Sequence, residues 1–222
     1  MERMLRDPRV IWLTVGPALL IYTLLMLVPI IWSTGYTLFS GSPVGGMKFT
    51  GFDNYVRLIQ DPNFWSALQV TVVYAVIVTA GQIVCGYLLA LAYHFYLKRS
   101  SPLVRTLVFF PVVLPTVAIA QMFVKVFAVS PQNGLLNSIL GSLGLNGSID
   151  WLGTGTGAFL VLVVMDIWRS MGFYAILLYA GLVDIPDEVV ESARIDGASG
   201  VRLVRQIIIP MLLPILISAI IY

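Results

Sequence analysis

Long apolar stretches alternate with short polar segments along this chain. The stretches cover residues 10–31, 64–97, 106–124, 158–183 and 207–222. A bilayer core about 30 Å thick is crossed by roughly 20 apolar residues of helix, so each of the first four stretches is long enough to span it. The fifth is shorter, and it is still apolar at its last residue. The pattern predicts an all-α integral membrane protein, a polytopic helical bundle in which five helices are visible.

The third stretch contains two prolines, Pro111 and Pro115. Each lacks a backbone N–H donor, and the ring of each clashes with the preceding turn of a helix. Membrane helices tolerate such residues, which mark kinks. We therefore expect the third span to be kinked.

The amino-acid composition excludes several classes of protein. Of the 222 residues, 59% are hydrophobic and 11% are charged, whereas soluble domains average roughly 45–50% apolar and about 25% charged residues. A chain of this size cannot enclose so much apolar surface in water, which excludes a soluble enzyme, a nucleic-acid-binding protein and a disordered linker. With one Cys and one His, and with no phosphate-binding loop motif, the sequence predicts neither a metal site nor a cofactor.

Lysine and arginine are distributed unequally between alternate connecting segments. The N-terminal tail and the segments after the second and fourth stretches contain Arg3, Arg6, Arg9, Lys98, Arg99, Arg105, Arg194, Arg202 and Arg205. The other segments contain Lys48, Arg57 and Lys125. Basic loops remain on the cytoplasmic side of a membrane. We therefore expect a cytoplasmic N-terminus, with the loops at 33–69 and 125–157 facing outward as turn-rich connections.

Asp166 and Arg169 lie inside the fourth stretch. A charge near the bilayer centre costs about 2.5–3.5 kcal/mol on the insertion scale, so such groups usually face the interior of a bundle. Two interpretations remain open. The two residues, three apart on a helix, neutralise each other, or they line a polar solute path together with Trp168 and Gly172. In both cases we expect Arg169 to face the protein interior and not lipid.

The segment 184–214 is the least membrane-like part of the chain. Pro186, followed by two acidic residues, marks the start of a short helix. Gly197 is expected to end this helix, and a second amphipathic stretch follows with Val201 and Val204 on its apolar side. From periodicity alone, the segment is either a helical hairpin lying on the membrane surface or a docking element for a cytoplasmic partner.

Several spaced motifs resemble those of a known family of membrane proteins. In chain order they are Gly51-Phe52-Asp53-Asn54-Tyr55, Trp168-Arg169, Gly172-Phe173, Ala180-Gly181-Leu182, Ile185-Pro186, Glu191-Ser192-Ala193, Asp196-Gly197-Ala198 and Ile207-x-Ile209-Pro210. The last three look like the EAA loop of binding-protein-dependent ABC importer permeases, in which Glu-Ala-Ala is followed by Asp-Gly-Ala and Ile-x-Leu-Pro. Ser192 and Ile209 are small departures from that pattern. The earlier runs are similar to the carbohydrate-importing branch, of the maltose and glycerol-phosphate permease type.

The resemblance implies a six-helix core of the type I importer kind. We therefore expect residues 1–222 to be a single permease domain that is incomplete at its C-terminus, with 184–209 as its cytoplasmic coupling loop. The implied partners are a second permease subunit in a heterodimer, two cytoplasmic ATPase subunits, an extracytoplasmic solute-binding protein and membrane lipid. ATP hydrolysis would belong to the ATPases, so this chain is not expected to be an enzyme. The implied location is the plasma (inner) membrane of a prokaryote.

The resemblance also implies a function. The chain would form half of the translocation path for a carbohydrate or related polyol, with glycerol-phosphate or another small polar solute as the alternative. Its coupling residues would be Glu191, Ser192, Ala193, Asp196, Gly197 and Ala198, which dock into a groove on one ATPase. A secondary transporter or channel is one rival hypothesis, although it would be expected to hold more ionisable groups in the membrane. A non-transporting scaffold is another, in which two intramembrane charges would be a needless cost.

Overall fold

The computed structural model describes residues 8–42, 44–97, 101–129 and 133–221, and these fall into two compact units that divide between Val70 and Thr71. The described part of the chain contains four helices long and apolar enough to cross a membrane, together with one bent pair of helices that makes a possible fifth span. The predicted polytopic all-α fold is confirmed. Four of the basic residues used to predict the orientation lie outside the described residues: Arg3, Arg6, Lys98 and Arg99.

The first unit joins a long helix to a small folded segment of two strands and a short helix. Its elements are α1 (Pro8–Tyr22), a π-helical turn (Thr23–Leu27), α2 (Val28–Tyr36), β1 (Phe39–Ser42), β2 (Gly46–Phe49) and α3 (Asp53–Gln60). The two strands pair antiparallel, and the Asn54 amide donates to the carbonyls of Thr37 at 2.8 Å and Phe39 at 2.9 Å. The segment predicted as a turn-rich connection is therefore a hairpin and a helix joined by side-chain hydrogen bonds.

The second unit contains most of the helical bundle. Helix α4 (Pro62–Leu91) begins in the first unit and continues here; after it come a π-helical turn (Ala92–Tyr96), α5 (Ser101–Val113), α6 (Thr116–Val126), α7 (Leu135–Ser142), α8 (Gly155–Val183), α9 (Asp187–Ile195), α10 (Gly200–Leu203), a second π-helical turn (Val204–Ile208) and α11 (Ile209–Ile221). The last three form one continuous helix, Gly200–Ile221. The fifth span thus begins at Gly200 and not near residue 207, because the second amphipathic stretch runs directly into the apolar one.

The third span is bent much more sharply than a kink. Helices α5 and α6 meet at 98°, with the break at Leu114 and Pro115. Proline disfavours helical backbone in the residue before it, and it has no N–H to continue the hydrogen-bond ladder. Pro115 itself has a non-helical backbone, φ −58° and ψ 132°, and α6 begins immediately after it. We call residues 114–115 the elbow.

One buried apolar cluster connects α8, the 184–209 loop and α11. Its members are Ala90, Leu178, Leu182, Ala193, Ala198, Leu203, Ile208 and Leu212. Leu203 and Ile208 are five residues apart, as a π-helical turn requires, and Ile208 and Leu212 are four apart, as in an α-helix. The π turn therefore brings the apolar side of α10 into line with that of α11.

Candidate functional site

Helix α9 forms where its local sequence favours a helix. Its N-cap is Pro186, with extended backbone, and Asp187 and Glu188 occupy its first turn. Arg194 occupies the last turn, so charges of the favourable sign lie at both ends of the helix dipole. The predicted short helix is present, and it is nine residues long.

Gly197 ends α9 in a Schellman motif. The N–H of Gly197 donates to the carbonyl of Arg194 at 3.0 Å, and the N–H of Ala198 donates to the carbonyl of Ala193 at 2.8 Å. These are the two hydrogen bonds that define the motif. Gly197 has φ +84°, a backbone conformation that residues with side chains rarely adopt. The turn that the sequence predicted at Gly197 therefore depends on the absence of a side chain.

The six proposed coupling residues divide into an attached pair and an exposed set. Ala193 is 7% exposed and Ala198 is 8% exposed, and both belong to the buried cluster with Leu178 and Leu182. The other four are exposed to solvent: Glu191, Ser192, Asp196 and Gly197. The two alanines thus hold the loop on the bundle, while a polar edge remains free to meet a partner.

Two large apolar side chains at the tip of the loop are exposed as well. Ile195 is 86% exposed and Val201 is 82% exposed, whereas Leu203 is buried. The predicted apolar side of the second stretch was therefore wrong at Val201, because the Schellman turn and the short α10 direct Leu203, and not Val201, into the cluster. Ile195 and Val201 flank the glycine turn and, with the exposed polar edge, form what we call the loop tip.

A polar cluster lies between α4 and α8 within the membrane-spanning region. The Tyr74 hydroxyl donates to Asp166 Oδ2 at 2.7 Å, and Arg169 Nη1 lies 3.8 Å from Asp166 Oδ1. Gln82 Nε2 donates to the backbone carbonyl of Asp166 at 3.2 Å. The side chains of Asp166 and Arg169 are 28% and 31% exposed. The carboxylate is therefore held by a hydroxyl and a guanidinium, and both charges are partly shielded by protein.

The Arg169 side chain has hydrogen-bonding capacity left over. Its Nε is buried and has no hydrogen-bond partner among the described residues. A guanidinium carries five N–H donors and is expensive to bury when they are unused. The cluster of Tyr74, Gln82, Asp166 and Arg169, which we call the polar cluster, therefore contains one buried donor that no described residue satisfies.

Trp168 and Gly172 contact other helices. The Trp168 ring lies 5.7 Å from the ring of Phe123 on α6, measured between centroids. A Cβ placed on Gly172 would meet the backbone of α5 at the carbonyl of Val108, with Phe109 Cα 2.9 Å away. Of the four residues proposed for the path, the structure brings Asp166 and Arg169 together, whereas Trp168 packs on α6 and Gly172 permits the close approach of α5 and α8.

We expect Gly172→Ala to destabilise the bundle by about 1–3 kcal/mol, because the added methyl overlaps helix backbone that cannot rotate away. The measurement is the apparent melting temperature of the detergent-solubilised protein. Gly155→Ala is the matched control, since a Cβ at Gly155 meets nothing within 4 Å. An unchanged melting temperature for Gly172→Ala would contradict the close crossing of α5 and α8.

Sequence reasoning missed two members of the polar cluster and one residue of the loop tip. Tyr74 and Gln82 lie in a stretch that was described only as apolar, and Tyr74 contacts a residue 92 positions away. Their polarity inside a span was the one available signal. Ile195 carried no signal, because its exposure depends on how the turn at Gly197 directs the chain.

Comparison with known proteins gives a family match over most of the second unit. Residues 82–222 match the family described as "Binding-protein-dependent transport system inner membrane component". The chain is 37% identical over 202 residues to "Probable ABC transporter permease protein YurN" of Bacillus subtilis, and the aligned region covers 90% of this chain and 68% of that protein. It is 34% identical to "Lactose transport system permease protein LacF" of Rhizobium radiobacter, covering 93% of this chain and 68% of that protein.

A solved structure has a similar fold. The match is to a chain in the crystal structure of a bacterial alginate ABC transporter in complex with an alginate pentasaccharide-bound periplasmic protein. It has a TM-score of 0.80 and 24% identity, and it covers 97% of this chain and 70% of the other. At this identity, the likeness supports the fold alone.

Proposed function

This chain belongs to the family of binding-protein-dependent transport system inner membrane components, and we propose that it forms half of the path by which an ABC importer moves a carbohydrate or related polyol across a membrane. The family match over residues 82–222 carries the proposal, because it includes both the polar cluster's Asp166 and Arg169 and the 184–209 loop. The lactose permease among its relatives supports a carbohydrate as the solute. A second permease subunit would form the other half of the path.

We propose that the 184–209 loop docks on a cytoplasmic ATPase subunit, which hydrolyses ATP in place of this chain. The loop tip supports this role, because exposed Ile195 and Val201 supply apolar surface and Glu191 and Asp196 supply charge beside it. Burial of such a side chain in a groove contributes roughly 1.5–3 kcal/mol. Two ATPase subunits would serve the two permease halves, and closure of the pair would move the helices attached to each loop.

The proposed orientation follows from the basic residues. They concentrate in the N-terminal tail and in the segments after the second and fourth apolar stretches, which supports a cytoplasmic location for these segments and the loop tip. The outer hairpin and α7 would then face an extracytoplasmic solute-binding protein. We propose the plasma (inner) membrane of a prokaryote as the location.

We propose that Asp166, Trp168, Arg169 and Gly172 belong to the translocation path. The partial exposure of the Arg169 side chain supports a contact with solute hydroxyl groups, and the Tyr74 hydroxyl keeps Asp166 in place beside it. Trp168 and Gly172 would act on the same path by setting the distances of α6 and α5 from α8. A carbohydrate offers many hydroxyl oxygens to such a donor.

The test is purification and reconstitution of the full-length complex. A tag on this subunit should recover the ATPase subunit, and proteoliposomes should import lactose, maltose or glycerol 3-phosphate only with ATP and the solute-binding protein. Uptake without ATPase subunits would instead indicate a secondary transporter. Recovery of this subunit without an ATPase, and without uptake of any probe, would also overturn the proposal.

We expect Val201→Asp to reduce recovery of the ATPase by about tenfold or more, because it places a charge in the apolar part of the interface. The matched control is Val44→Asp, since Val44 is 99% exposed in the outer hairpin turn and lies on the opposite side of the membrane in the proposed orientation. Equal recovery for the two variants would count against docking through the loop tip.

A further inference from the structure

Three residues from three segments form a stacked contact near the loop. The Arg105 guanidinium carbon lies 4.5 Å from the centroid of the Tyr179 ring, over its face. The Tyr93 ring meets Tyr179 edge to face, with the centroids 6.1 Å apart. Arg105 belongs to α5, Tyr179 to α8 and Tyr93 to the π-helical turn after α4. We call this contact the aromatic joint.

Stacking, and not hydrogen bonding, holds Tyr93 in the joint. Tyr93 is 2% exposed, and its hydroxyl has no hydrogen-bond partner among the described residues. A cation over an aromatic face and an edge-to-face ring pair are both directional, unlike the contacts between aliphatic side chains. The joint therefore fixes the rotation of α5 against α8, which apolar packing alone does not do.

The joint lies between the loop and the elbow. Tyr179 packs against the buried cluster that contains Ala193 and Ala198 of the loop. Seven residues earlier on the same helix, Gly172 lies against the backbone of α5 at Val108. Helix α5 is thus attached to α8 at two levels, and it ends at the elbow, where α6 departs at 98°.

Helix α6 is in turn connected to α7. The Phe123 ring contacts Trp168 of α8 and stacks on Phe127, and Phe127 meets Trp151 edge to face. Trp151 donates through its indole N–H to Asn137, a fully buried residue of α7. The loop is therefore connected to α7 through the joint, the backbone of the elbow and the aromatic contacts of α6.

We propose that Arg105, Tyr179 and Tyr93 are positioning residues that attach α5 to α8 beside the coupling loop. When the loop moves, α5 and the elbow at its end then move together with α8. This inference rests on the proposed function. Loss of the joint would leave the loop docked and the bundle folded through the contacts at Gly172 and Trp168, while the Arg105 end of α5 no longer follows the loop. ATP would then be hydrolysed without a matching import of solute.

The test measures solute imported per ATP hydrolysed by the full complex in proteoliposomes, using whichever of lactose, maltose or glycerol 3-phosphate the wild type imports. We expect Arg105→Gln and Tyr179→Leu each to lower this ratio about fivefold or more, with complex yield and ATP hydrolysis within about twofold of wild type. Arg105→Lys keeps a cation and Tyr179→Phe keeps a ring, so both should retain the wild-type ratio. The double variant Arg105→Gln, Tyr179→Leu should be no worse than Tyr179→Leu alone, because loss of the Tyr179 ring already removes its contacts with both Arg105 and Tyr93.

Three results would overturn the proposal. A wild-type ratio in Arg105→Gln shows that the joint transmits nothing, and multiplied losses in the double variant show that the two residues act separately. A parallel fall of yield, hydrolysis and uptake shows a merely structural role. If the wild-type complex imports no probe with ATP, the proposed function itself fails, which the wild-type measurement reveals before any variant is compared.

Discussion

We expect Arg169→Leu to lower uptake by the reconstituted complex at least about tenfold, although the substitution makes α8 more apolar. Removal of the guanidinium leaves the Asp166 carboxylate inside the membrane with the Tyr74 hydroxyl on Oδ2 and nothing in place of Arg169 on Oδ1. An uncompensated charge near the bilayer centre costs about 2.5–3.5 kcal/mol, a cost that the partial exposure of this pair reduces. The measurements are uptake and the yield of assembled complex.

Two further variants separate charge pairing from a role in the path. Asp166→Asn combined with Arg169→Leu removes both charges, so it should restore the yield of complex but not uptake. Arg169→Lys keeps the charge without the planar fork of donors, so it should assemble normally and transport less well. If Arg169→Leu imports solute as well as the wild type does, Arg169 is not part of the proposed path, and it only forms an ion pair with Asp166.

The second large effect is expected for Gly197→Val, which should lower solute-stimulated ATP hydrolysis about five- to thirtyfold. A β-branched side chain is strained at φ +84°, at a cost of roughly 1–2 kcal/mol or more. A Cβ at Gly197 would meet nothing within 4 Å, so the effect comes from the backbone and not from a clash. The Schellman turn should open, and Ile195 and Val201 should lose their fixed spacing while the spans insert as before.

The control for this prediction is Gly197→Asn. Asparagine adopts left-handed backbone more readily than other residues with side chains, so this variant should keep most of the stimulated hydrolysis. The yield of membrane-inserted protein is measured for both variants, to separate a coupling defect from a folding defect. Equal hydrolysis by Gly197→Val and wild type would show that the conformation of the turn does not matter for coupling.

The motifs of the 184–209 loop identified the family, and the match over residues 82–222 confirms the predicted permease. Their local consequences were also predictable, because a helix start, a glycine turn and dipole charges depend on neighbours a few residues away. The exposure of individual side chains could not be predicted in this way. Val201 was expected on an apolar face packed against the protein and is exposed, since the turn and α10 direct Leu203 into the buried cluster.

Hydropathy and composition determined, by themselves, that the chain crosses a membrane several times, since a span needs only enough consecutive apolar residues. The prolines likewise marked the third span for a bend. Its angle of 98°, the hydrogen bond between Tyr74 and Asp166 across 92 residues, and the stacking of Arg105 on Tyr179 were decided by the tertiary structure. Each of these depends on which helices pack together and at what rotation, and an apolar stretch has no periodicity strong enough to encode that choice.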